Sequence, residues 1–259
     1  MALMFGSMQT LAAVTDMPVD TITLDETLSQ DHIVAADISW KTAQDKGQWI
    51  KDLGIAEDVK SMLLVINNLD KEDPDTILTA SLASWNKIQG KSRLFYFSKS
   101  ADGDWNETFS VECYISGGRY LDKEEIYGVY KPVSSFGALA NPGSLLSYKS
   151  LSLHDYWTTD PEDENYGSIF TIPQFYEKPE QAVNLSSLKA YSNYGMILHP
   201  QDESTDCPPL VINCQQLEGN NDALAGFCMP QEHLRMMIQS IDEETNVYIV
   251  ENLADLEQI

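Results

Sequence analysis

The segment Leu210–Pro230, LVINCQQLEGNNDALAGFCMP, carries the densest structural information in the chain. A short apolar run, Leu210-Val211-Ile212, leads into Asn213 and reads as a buried strand. A polar connection follows from Gln215 to Asp222, with the turn formers Gly219-Asn220-Asn221 at its centre. A run of mostly small residues, Ala223-Leu224-Ala225-Gly226, then passes through Phe227-Cys228-Met229 to Pro230. A helical pattern opens there, and the spacing of apolar residues predicts a helix over Gln231 to Ile241.

Other segments fall into order with this one. Leu94-Phe95-Tyr96-Phe97 is followed by Ala101-Asp102-Gly103-Asp104-Trp105, which reads as a strand and a turn. Phe109 to Ser116 reads as the next strand, with Gly117-Gly118 as its turn. Tyr127-Gly128-Val129-Tyr130, then Tyr156-Trp157-Thr158-Thr159-Asp160 with Tyr166, and then Tyr191 to Leu198 complete the series. In order and spacing, from about Leu94 onward, these segments resemble the L,D-transpeptidases, the YkuD-like enzymes that cross-link peptidoglycan. There are departures. Asp104 is an extra residue in the first turn, Glu125 and Ile126 replace a Thr-Pro, and Gly167 replaces an asparagine. The resemblance implies a mostly-β sandwich with a helix after the signature segment.

The family signature has a histidine after three apolar residues and then a cysteine in Thr-x-Gly-Cys-x-x-x-Pro. Aligned on Leu210-Val211-Ile212, the histidine falls on Asn213. Aligned on Pro230, the cysteine falls on Gly226. The family's chemistry needs a thiolate activated by an imidazole, so that cysteine can form an acyl-enzyme with a peptide stem. Glycine offers no nucleophile, and asparagine takes no proton at neutral pH. The resemblance therefore implies a degenerate L,D-transpeptidase-like protein that binds or scaffolds at the cell wall, with peptidoglycan or its peptide stem as the partner. It would be secreted or carried on a bacterial cell surface.

The alternative is a working cysteine transpeptidase or peptidase that uses Cys228. In a strand, residues 226 and 228 face the same side, so the Cys228 sulfur would lie roughly 6–7 Å from the lost nucleophile's position. His199 or His233 would then have to act as base. The competing reading makes Cys228 and Cys214 small buried apolar residues. Tyr156, Trp157 and Tyr166 either line a groove for a glycan or peptide or belong to a core, and His154 lies beside them.

The bulk properties exclude several classes. Forty Asp and Glu against sixteen Lys and Arg give a net charge of −24, which repels phosphate backbones and disfavours nucleic acid as a partner. No run of 18 apolar residues exists, so no membrane span is expected. Four cysteines (113, 207, 214 and 228) include no C-x-x-C pair, and the histidines show no zinc spacing, so neither metal nor cofactor is expected. Asp70 to Asp75 lacks the glycine of a calcium loop and reads as a solvated turn.

Along the chain, residues 1–15 read as a leader or truncated signal segment and 16–60 as an acidic segment with a short helix, Thr42 to Leu53. Residues 61–259 read as the main domain. Its predicted strands are Met62–Ile66, Arg93–Ser98, Thr108–Ile115, Gly128–Val133, Tyr194–Leu198, Leu210–Asn213 and Asn246–Val250.

Overall fold

A computed structural model describes residues 48, 50, 51, 59–67, 92–118, 121–158, 160–202, 207–215, 224–252, 255 and 256. The expected leader, the Asp70–Asp75 turn, His32 and most of the polar loop after Gln215 lie outside these residues. Of the helix expected over Thr42 to Leu53, only residues 48, 50 and 51 are described, and they are helical.

The strands are β1 (Ser61–Ile66), β2 (Ser92–Lys99), β3 (Trp105–Gly117), β4 (Gly128–Gly137), β5 (Tyr148–Ser150), β6 (Asp155–Thr158), β7 (Ile169–Thr171), β8 (Ala182–Asn184), β9 (Gly195–Pro200), β10 (Leu210–Cys214), β11 (Ala225–Met229) and β12 (Asn246–Val250). The single described α-helix of any length, α1, spans Gln231–Ser240, and 3₁₀ turns cover Lys123–Ile126 and Leu185–Ser192. No described helix is long and apolar enough to cross a membrane.

The protein is mostly β, as the sequence implies, but the main sheet is closed where a sandwich was expected. Its strands run β12-β1-β2-β3-β11-β10-β9-β4, and β12 pairs again with β4. That makes an eight-stranded barrel, with β5 added beside the far end of β4. The seam is short: Val247, Tyr248 and Ile249 pair with Tyr130, Val129 and Gly128. Beyond it, β4 stays paired with β9 on one edge and takes β5 in place of β12 on the other, along Ser135–Gly137. Alternating side chains look alike in a sandwich and in a barrel, so closure could not be read from periodicity.

One apolar cluster takes alternate residues from all eight strands, among them Val65, Leu94, Ile115, Tyr130, Leu198, Ile212, Phe227 and Ile249. It is therefore the barrel interior. Leu234, Met237 and Ile238 of α1 join this cluster, which follows from their i, i+3, i+4 spacing on one helix face. Two further clusters cover the outer wall. Ile50 and Leu256 pack with Met62, Leu64 and Phe95 over β1 and β2. On the opposite side, Trp157 and Val183 pack with Phe136, Ile197 and Val211. Trp157 and Val183 belong to a second, three-stranded sheet ordered β7-β6-β8, which is thereby laid against β4, β9 and β10. Because both faces are covered, β1, β10, β11 and β12 are buried at every residue.

Candidate functional site

Strands β10 and β11 run parallel, with Val211 opposite Gly226, Ile212 opposite Phe227 and Asn213 opposite Cys228. Ile212 and Phe227 point into the barrel, so Val211, Asn213, Gly226 and Cys228 share the outer wall. Positions 213 and 226 are thus on adjacent strands and one face, with their Cα atoms about 8 Å apart by strand geometry.

Gly226 is fixed by its surroundings. Its φ is +132°, a conformation that side chains rarely adopt. A Cβ added there would lie 2.2 Å from the carbonyl oxygen of Val211 and 2.9 Å from its backbone N. Backbone atoms within a paired strand do not move aside cheaply, so this position admits no side chain at all. On its other edge Gly226 pairs with Ser116 of β3, whose hydroxyl accepts the Gly118 N–H at 3.0 Å.

Asn213 is only 3% exposed, and its side-chain oxygen is buried with no hydrogen-bond partner among the described residues. A buried acceptor in that state costs about 1–3 kcal/mol.

Three of the four thiols, Cys113, Cys214 and Cys228, are buried too. Cys228 is 2% exposed, and no disulfide joins the described cysteines. Cys214 points into the barrel and donates to the Tyr194 carbonyl at 3.5 Å. Burial pushes the Cys214 thiol up to about 11 and raises that of Cys113 well above its ordinary value. Both thiols are therefore protonated at neutral pH.

The histidines proposed as bases stand elsewhere. His199 is on β9, four residues beyond Gly195, which is the partner of Asn213. That is about 13 Å along the strand. Its Nε2 is within hydrogen-bonding distance of the Gly167 carbonyl, at 2.8 Å. His233 packs on Phe109, with ring centroids 5.7 Å apart, and Phe109 borders the barrel interior. The wall of the barrel thus separates His233 from the outward-facing Cys228.

The aromatic residues divide between two faces of the small sheet. Trp157 is 1% exposed and faces the barrel, in the same cluster as Val211, the partner of Gly226. Tyr156 faces the opposite way and packs against Phe170, its register partner, with centroids 6.2 Å apart. His154 lies in the turn before β6, where its carbonyl accepts from the Ile172 N–H at 2.9 Å. Tyr166 precedes Gly167 and so sits at the His199 end of β9, and burial raises its phenol. The structure accordingly brings Asn213, Gly226, Cys228 and the inner face of Trp157 into one region, with Tyr166 and His199 apart from it.

One buried charged residue had no separate signal in the sequence. Asp155 of β6, 1% exposed, accepts from Thr171 Oγ1 at 2.6 Å and from Lys149 Nζ at 3.1 Å, and also from the Ser152 N–H. Burial pushes its carboxyl up, but these hydrogen bonds outweigh burial and hold it below the usual range. Among the described residues no cluster of His, Cys, Asp or Glu could hold a metal ion. No family model, curated protein or solved structure matches the chain.

Proposed function

We propose that this protein is a non-catalytic binding or scaffolding protein on an L,D-transpeptidase-like fold, acting on peptidoglycan at a bacterial cell surface or in secreted form. The carrying observation is steric. The position aligned with the family nucleophile, Gly226, has a backbone conformation and a neighbour, Val211, that leave no room even for a Cβ. Its counterpart, Asn213, is buried and bears an amide in place of an imidazole. Two further points support the family reading. The resembling segments keep their order along the chain, and positions 213 and 226 meet on adjacent strands of one face. Cys228 supplies a thiol two residues away, but the placement of His199 far along β9 and of His233 against Phe109 favours the non-catalytic reading.

The test is co-sedimentation of the purified protein with isolated peptidoglycan sacculi, alongside incubation with tetrapeptide-stem muropeptides. The expected result is saturable association with sacculi and unchanged muropeptides. Absence of association would overturn the binding reading. Cross-linked or shortened muropeptides, or an acyl adduct mapped to Cys228, would overturn the non-catalytic reading in favour of a Cys228 enzyme.

A further inference from the structure

We draw no further inference here: the strongest candidate, the outward aromatic face of the small sheet, where Tyr156 and Phe170 lie in the same sheet as the turns bearing the exposed Leu153, Phe175 and Tyr176, is an unpartnered apolar face, and nothing in the structure shows what covers it.

Discussion

Asp155 and Lys149 form an ion pair, at 3.1 Å, between the small sheet and strand β5 of the main one. The carboxylate is buried, whereas the lysine is partly in solvent, and Thr171 completes the arrangement from β7. Replacing Asp155 by Asn leaves Lys149 and the Thr171 hydroxyl without their charged acceptor. The expected loss is about 1–3 kcal/mol, measured by urea unfolding. The pH dependence has a definite sign. Because the folded carboxyl lies below its unfolded value, its contribution is present above about pH 4 and fades as pH falls through the folded value. Asp155→Asn should therefore flatten the acid limb of the stability curve. A variant with wild-type stability and an unchanged acid limb would show that the pair contributes nothing.

Gly226→Ala should be among the most damaging single-methyl additions in the chain. The added Cβ meets the Val211 backbone, and the positive φ adds strain of about 1–3 kcal/mol by itself. We expect a total loss of at least about 3 kcal/mol in chemical denaturation. Installing the family dyad as Asn213→His with Gly226→Cys should accordingly give a destabilised protein rather than a transpeptidase. A stable double variant that cross-links muropeptides would refute the steric argument.

The buried thiols make a prediction at alkaline pH. An ordinary thiol titrates near about 8.5, whereas folding pushes Cys214 up to about 11. The folded state then holds protons that the unfolded state releases, so stability should decline from about pH 8.5 toward the folded value. Cys214→Val should reduce that slope. In the native protein at pH 7, iodoacetamide should label Cys113 and Cys214 slowly, and denaturant should release both. Rapid native labelling of either would contradict their burial.

Trp157 and Tyr156 are sequence neighbours with separate tasks. Trp157→Ala empties part of the cluster between the small sheet and the barrel and should cost about 3–5 kcal/mol. Tyr156→Ala removes an outward, half-buried ring and should cost much less, about 1 kcal/mol. Equal losses in thermal or urea unfolding would mean that the two rings do not lie on opposite faces. If sacculus binding weakens in Tyr156→Ala without loss of stability, Tyr156 belongs to the binding surface.

The sequence made the long apolar runs legible. β1, β2, β3, β9, β10, β12 and α1 stand within a few residues of where periodicity put them, because each buries a full row of large side chains. The apolar pattern of β4 ends at Val133, but the strand continues through Ser134 and Ser135 to Gly137, held by β5 and β9 on its flanks. Strands of three or four residues, such as β6, β7 and β8, are too short to show a period. β11 opens in a run of mostly small residues, and Ala225-Gly226 has little strand propensity of its own. What makes it a strand is the close approach of β10, a non-local contact. At the site, alternation sufficed to put residues 226 and 228 on one side. The distance of His199 and the inward placement of His233 depended on strand register and helix docking, which no local pattern encodes.

The short seam between β4 and β12 also governs the order in which the molecule can be assembled. β12 is the last strand of the described chain, yet β1, the first, has it as a parallel neighbour. About 180 residues must be made between Met62 and its partner Asn246, so an emerging chain carries two open strand edges until then. Such distant pairing slows folding and lengthens the time over which those edges can find one another in other molecules. With 40 acidic residues against 16 basic ones, neighbouring chains repel each other during that interval, which guards the unfinished barrel.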